Sequence, residues 1–317
     1  MNKIILICGL PGSGKTKLSN EYVKNENFLR LNCDDLGIGY DKLLNLFEKS
    51  VLNSGNILLD NVFYSVEKRK PFIDLCHKLN KKISCIHVDT SFEDCQINIL
   101  LRMKEKHNKY FFSAKEANEV KDPGVFPINV LFKFNKNFEK PSVLEGFDEI
   151  TVLKFNRVWP VDYTNKALIL DYDQNIRDTK VIGDEGRGYP IEKDEIIILP
   201  NRREKILKYK EAGYYLCGIS NQSGVHKKIL SFDKAKEMFE ETNKMLGLDI
   251  DYTFCPHASH PIDCWCRKPQ VGNLVYLIQK YKLDPQKCVF VGDRKTDETC
   301  AERLKMPFYY TNDFFGK

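Results

Sequence analysis

No stretch of this 317-residue chain approaches the ~20 apolar residues in a row that carry a helix across a bilayer. That excludes a helical membrane protein. Internal repeats and low-complexity tracts are also missing, so neither a solenoid nor a disordered tail is expected. Charge of one sign is in small excess. A net charge of +5 suits a polyanionic partner but is too weak to argue for one. Nor does the apolar run in Met1–Cys8 suit a secretory leader: it is too short and leads straight into glycines, so a first buried strand is expected there. Cysteine is not scarce, at eleven residues, but a disulfide framework is not in evidence. Cys8, Cys33, Cys76, Cys85, Cys95, Cys217 and Cys288 stand singly in or beside apolar runs, as reduced core thiols of a cytoplasmic protein do. Cys300 reads as helical and inert.

What is present is alternation. Strand runs at 4–8, 28–32, 56–59, 83–88 and 149–155 are followed by a second series at 167–170, 214–219 and 288–291. Amphipathic helical stretches separate them at 15–25, 66–79, 92–107, 203–211, 232–246 and 272–281. Such alternation predicts an α/β protein of parallel sheets flanked by helices. A chain of 317 residues is long for one core, and the polar, Trp-Pro-containing stretch 156–165 interrupts the pattern. The expectation is two domains, 1–159 and 160–317.

Gly9-Leu10-Pro11-Gly12-Ser13-Gly14-Lys15-Thr16 matches the P-loop pattern between a strand and a helix. Its backbone N–H groups and the helix N-terminus suit phosphate oxygens, Lys15 the β- and γ-phosphates of ATP, and Thr16 a Mg²⁺ ion. A carboxylate in Cys33-Asp34-Asp35 could accept the proton of an acceptor hydroxyl, with helix capping as the plainer alternative for each. Asp60-Asn61 ends another strand run, and Arg102, Lys104 and Lys106 form a basic helix from which Arg102 could close over the nucleotide.

In the second half, four pieces follow in order: Asp171-Tyr172-Asp173 at a strand end, Ser220-Asn221-Gln222-Ser223 after a second strand, Arg267-Lys268-Pro269, and Gly292-Asp293 with Asp297 after a third. Strand ends of a parallel sheet share one edge, so these groups can converge. Clustered carboxylates suit Mg²⁺, and one of them can attack phosphorus while another serves as acid and base. Between the pieces, Cys255, His257, Cys264 and Cys266 fall within twelve residues, a ligand set for structural Zn²⁺. His260 is not expected among the ligands.

Residues 1–155 resemble the kinase domain of the phage-type polynucleotide kinase-phosphatase family. The likeness rests on the Pro11-to-Lys15 loop, Asp34-Asp35, Asp60-Asn61 followed by Arg69, the lid arginine Arg102 and the closing Glu145–Ile150. It implies that Asp34 is the general base toward a 5′-hydroxyl. The family commonly carries an arginine soon after the aspartate pair; here Leu36-Gly37 stand there. The second half resembles the haloacid-dehalogenase phosphatases, which implies a Rossmannoid fold with Asp171 as nucleophile and Asp173 as acid/base. Ser220, Asn221 and Lys268 are then phosphate ligands, and Asp171, Asp173, Asp293 and Asp297 hold Mg²⁺. Where that family usually reads Gly-Thr, this chain has Gln174-Asn175. The run from Cys255 to Lys268 is similar to the histidinol-phosphate and heptose-bisphosphate phosphatases, in which the 255–266 segment would be a zinc loop shaping the pocket. The implied function is a bifunctional end-healing enzyme acting on RNA or DNA ends with ATP, Mg²⁺ and Zn²⁺. The rivals are a metabolic kinase-phosphatase for small phosphomonoesters and a nucleotide-binding switch with a degenerate phosphatase.

Overall fold

The computed structural model describes residues 2–53, 55–180 and 188–316. They form two compact units, each built on a five-stranded parallel sheet. In the first, β1 (Ile4–Cys8), β2 (Leu29–Leu31), β3 (Ile57–Asp60), β4 (Ser84–Asp89) and β5 (Glu149–Lys154) are ordered β2-β3-β1-β4-β5. β1 is apolar at every position because helices cover the sheet on both faces. Its last residue, Cys8, delivers the chain straight into the P-loop, which opens the helix Lys15–Glu26. β3 ends on Asp60, so both acidic and phosphate-binding candidates sit at the same edge of the sheet. An internal brace closes this unit: Arg69, fully buried, donates to Glu145 at 2.7 and 2.8 Å and to the carbonyls of Phe63 and Glu139 at 2.8 and 2.9 Å. Removing one partner of such a pair costs about 3–5 kcal/mol.

In the second unit, β6 (Ala167–Leu170) is the central strand. A hairpin of β7 (Arg177–Thr179) and β8 (Ile196–Ile198) follows it, then β9 (Tyr215–Asn221), β10 (Asp251–Cys255), β11 (Val289–Gly292) and β12 (Phe308–Tyr310). The sheet order is β10-β9-β6-β11-β12. The helix Phe232–Leu246 shows the local logic well. Ser231 caps its first turn by accepting from Lys234 N–H at 3.0 Å, and Gly247 ends it at φ 63°.

The structure differs from the sequence expectation in several places, among them the additional helices Tyr40–Asn53, Ile128–Lys136 and Lys295–Glu302. β10, β12 and the β7–β8 hairpin were not foreseen: β7, β8 and β12 have three residues each, too few to show a period. Cys33 is half-buried at the start of a short helix, not a core residue. The expected single cut after residue 159 is also too simple. Residues Tyr110–Glu119 group with the second unit, while Val120–Arg157 return to the first.

Candidate active sites

At the end of β1 the P-loop glycines Gly9, Gly12 and Gly14 take φ of 153°, 80° and 101°. A Cβ on Gly12 would lie 2.6 Å from the Cys95 carbonyl, so no larger residue fits. Lys15 is buried and folds back over the loop, donating to the carbonyls of Gly9 and Leu10 at 2.9 and 2.8 Å. Burial lowers its pKa, and the nearby Asp60 carboxylate opposes the shift. Ser13 is buried, its carbonyl bonded to the Thr90 hydroxyl, while Thr16 is exposed in the first helical turn.

The aspartate pair is divided by Arg30, which sequence reasoning did not single out. Its guanidinium holds Asp60 at 2.7 and 2.8 Å and Asp35 at 2.5 Å. Asp34 is left exposed at the sheet edge. Arg102 donates to the Gly124 carbonyl at 2.7 Å and keeps a buried Nε without a partner. Burial lowers the Arg102 pKa, opposed by Asp122 and Asp34. Carbonyl and charge thus fix the arginine near the acidic edge, in position to meet an anion.

The second site is tighter. Asp171, at the end of β6, lies 2.6 Å from Lys268 Nζ, and the same ammonium reaches Asp297 at 2.7 Å. All three side chains are nearly inaccessible. Burial pushes the Asp171 pKa up; Lys268 opposes this, and Asp297 and Asp173 add to it. For Lys268, burial works against the charge, yet Asp171 and Asp297 outweigh it and raise its pKa. The carboxylates of Asp171, Asp293 and Asp297 lie within 4.8 Å of one another. Asp293 Oδ1 is buried without a hydrogen-bond partner, and burial followed by Asp297 raises the Asp293 pKa. Three crowded carboxylates with an orphaned oxygen fit a hard divalent cation such as Mg²⁺. Gly292 is required here, because the Asp297 side chain stands 2.6 Å from where its Cβ would be.

Asp173 does not join that trio. Its carboxylate is turned to Arg177 and Gln222. Ser220 Oγ is 3.5 Å from Asp173 Oδ2, but the Asn221 side chain is committed to the Lys268 backbone, at 3.0 and 3.1 Å. Asn221 therefore braces Lys268, while still lining the same cavity.

The departure at 174–175 has a local explanation. Gln174 adopts φ 62°, the left-handed region in which glycine costs least. Asn175, fully buried, donates to the carbonyls of Asp171 and Val291 at 2.8 and 3.2 Å and accepts from Thr311 at 2.8 Å. Gln174→Gly should therefore be tolerated, changing stability by no more than about 1 kcal/mol. A denaturant melt would check it, and a loss of several kcal/mol would mean the Gln174 side chain, bonded to Asp178, is what holds the loop.

Cys255, Cys264 and Cys266 are buried, and His257 stands among them. The Cys255 sulfur is 3.6 Å from Cys264 and 3.5 Å from His257 Nδ1, which is 3.2 Å from Cys266. Tetrahedral ligands about 2.3 Å from zinc stand roughly 3.7 Å apart, so the four fit that ion closely. His260 is outside the set and lines a cavity beside Asp171 instead.

That cavity, about 580 Å³, is bounded by Asp171, Asp173, Ser220 and Lys268 on one side and by Lys227, Arg267 and Arg294 among others. No helix among the described residues is long and apolar enough to cross a membrane.

The family model for polynucleotide kinase 3 phosphatase matches residues 167–315. A D-glycero-β-D-manno-heptose-1,7-bisphosphate 7-phosphatase of Haemophilus influenzae is 31% identical over 142 residues, 42% of this chain and 73% of that one. A bifunctional polynucleotide phosphatase/kinase of Schizosaccharomyces pombe is 26% identical over 153 residues, 48% of this chain but only 34% of that protein. The crystal structure of a D,D-heptose 1,7-bisphosphate phosphatase from B. bronchiseptica aligns at a TM-score of 0.42 with 24% identity, over 48% of this chain and 83% of that one. The acidic centre of the second sheet is accordingly that of a phosphatase: the second unit belongs to the haloacid-dehalogenase type, matches the polynucleotide kinase 3 phosphatase model over its length, and follows a P-loop unit in the same chain.

Proposed function

We propose that the chain heals polynucleotide ends, adding phosphate from ATP to a 5′-hydroxyl in its first unit and removing a 3′-phosphate in its second. The observation that carries this reading is the polynucleotide phosphatase family match on a unit joined, in one chain, to a P-loop with an exposed aspartate, Asp34, in the short helix after β2. Three cationic side chains around an open cavity suit a substrate that bears further phosphates.

In the phosphatase, Asp171 attacks phosphorus, and Lys268 holds the attacking carboxylate in place and offsets charge on the phosphoryl oxygens. Asp173 gives a proton to the departing oxygen and later takes one from the water that releases phosphate. Ser220 contributes a hydroxyl to the phosphate site. Asp171, Asp293 and Asp297 would hold Mg²⁺, which supplies charge neutralisation between two anions. In the kinase, Lys15 grips the transferred phosphate, Arg102 offsets its charge, and Asp34 takes the proton of the acceptor hydroxyl. Thr16 would hold the nucleotide's Mg²⁺. Arg30 keeps Asp35 occupied, which favours Asp34 as the base.

The test is incubation with Mg-ATP and oligonucleotides ending in 5′-hydroxyl or 3′-phosphate, set against heptose bisphosphate. Oligonucleotides should be turned over at both ends. Lys15→Ala and Asp34→Ala should each cut 5′-phosphorylation by roughly a hundredfold or more and leave dephosphorylation unchanged. Turnover of the sugar bisphosphate alone would favour the metabolic reading, for which the Haemophilus influenzae relative speaks. An Asp34→Ala enzyme that keeps most of its rate would move the base to Asp35.

A further inference from the structure

The two oxygens of Asp173 have different surroundings. Oδ2 is 2.6 Å from Gln222 Nε2 and 3.5 Å from the hydroxyl of Ser220, which lines the cavity together with Asp173. Oδ1 is turned inward and accepts from Arg177 Nε at 2.8 Å. Arg177 is 1% exposed, and its own position is fixed several times over. Nη1 donates to the Met238 carbonyl at 2.6 Å and to Thr242 Oγ1 at 2.9 Å, both on the helix Phe232–Leu246. The guanidinium lies 4.6 Å from the Phe239 ring and 5.4 Å from that of Tyr172. The backbone closes the same loop, with Gln174 N–H bonded to the Arg177 carbonyl at 2.8 Å and Arg177 N–H to that of Tyr172 at 3.0 Å.

We propose that Arg177 is the positioning residue of the phosphatase general acid: it anchors the inner oxygen of Asp173 to the core so that the outer oxygen meets the leaving group. This rests on the assignment of Asp173 as acid/base. A carboxylate between the metal trio and solvent could turn in several ways. Tied at one oxygen to a planar, buried guanidinium, it loses that freedom before substrate arrives. Gln222 occupies Oδ2 without substrate and has to yield it when that oxygen carries the proton. In the first step an Asp171 oxygen bonds to phosphorus, the ester P–O bond breaks, and the departing alkoxide takes the proton from Asp173 Oδ2. In the second, Asp173 takes a proton from water, whose oxygen bonds to phosphorus as the acyl P–O bond breaks and frees Asp171. Proton transfer needs heavy atoms about 2.6–3.2 Å apart, and a shift of ~1 Å can cost about a hundredfold.

The test compares two esters that differ in their need for that proton: a 3′-phosphate oligonucleotide, whose alkoxide must be protonated, and 2,4-dinitrophenyl phosphate, whose phenolate leaves unaided. Arg177→Met should lower kcat on the oligonucleotide by about 10- to 100-fold with KM nearly unchanged, and on the dinitrophenyl ester by about threefold or less. Arg177→Lys should recover part of the loss. Thr242→Ala removes one anchor and leaves the charge in place, so it should show the same pattern at a few-fold. It keeps the test decisive should the arginine variants not fold. Equal losses on the two esters, or no loss in folded protein, would overturn the proposal. Asp173→Asn, assayed beside them, separates the two ideas. If it too fails to discriminate between the esters, the acid/base assignment falls; if it discriminates and the Arg177 and Thr242 variants do not, only the role of Arg177 falls.

Discussion

Asp171→Asn should abolish phosphatase turnover, by a factor of roughly a thousand or more, while 5′-phosphorylation stays near wild type. Asparagine cannot form a stable acyl-phosphate, and it removes one of the three charges that draw a divalent cation to Asp293 and Asp297. The fold should survive. Asp171 follows four fully buried residues of β6, and the Lys268 ammonium that would lose it keeps Asp297 at 2.7 Å. One buried charge is removed and the opposite one remains paired, so the penalty for an isolated buried ion does not arise. Beryllium or aluminium fluoride should inhibit the wild-type enzyme by standing in for phosphoryl on that carboxylate. Steady-state rates on a 3′-phosphate oligonucleotide, with circular dichroism to verify folding, decide the matter. Comparable hydrolysis by Asp171→Asn would rule out the covalent route and require direct attack by water.

Cys264→Ser should release a bound metal and unfold part of the second unit. Elemental analysis of the wild-type protein should find about one zinc per chain, as a closed four-ligand site requires. Structural zinc contributes apparent binding free energies of about 10–16 kcal/mol in small domains, so its loss is expected to exceed what an ordinary core substitution costs. The consequence extends past the cluster. Trp265, fully buried between two of the ligands, and Lys268, two residues beyond the last, are placed by the same loop. Phosphatase activity should therefore fall along with the thermal midpoint. Purified protein that contains no zinc without ever meeting a chelator would sink the assignment.

The parts legible in the sequence are those whose signal is local. The P-loop is eight adjacent residues, and the zinc ligands lie within twelve. The strand ends at Asp171, Ser220 and Asp293 follow apolar runs that announce a buried parallel sheet. The parts that were not legible depend on partners far along the chain. Arg177 gains its meaning from Asp173 on one side and from Met238 and Thr242, more than sixty residues on, at the other. Asn175 takes over its position by reaching Thr311, and Arg30 distinguishes Asp34 from Asp35 only once β2 lies beside β3. Gln174 could have been recognised, since a residue standing where a glycine is usual must accept positive φ. Nothing in the order of residues says that Asn221 would turn to the Lys268 backbone.

The excursion of residues 110–119 into the second unit bears on how this chain could ever be divided. The Phe112 carbonyl accepts from Trp265 N–H at 2.8 Å, and its ring packs on the cysteine cluster. Gly272 leaves room for that ring, since a Cβ there would stand 3.1 Å from it, and Tyr110 stacks on Phe112 and meets Tyr276 edge-on. A protease cut or a gene split at Arg157 would therefore not yield two whole halves. The first piece would carry an orphaned aromatic finger with nothing to grip, and the second would show an open wound over its cysteine cluster. The crossing makes the chain between 110 and 157 a shared part, which neither unit can surrender without breaking the other's continuity.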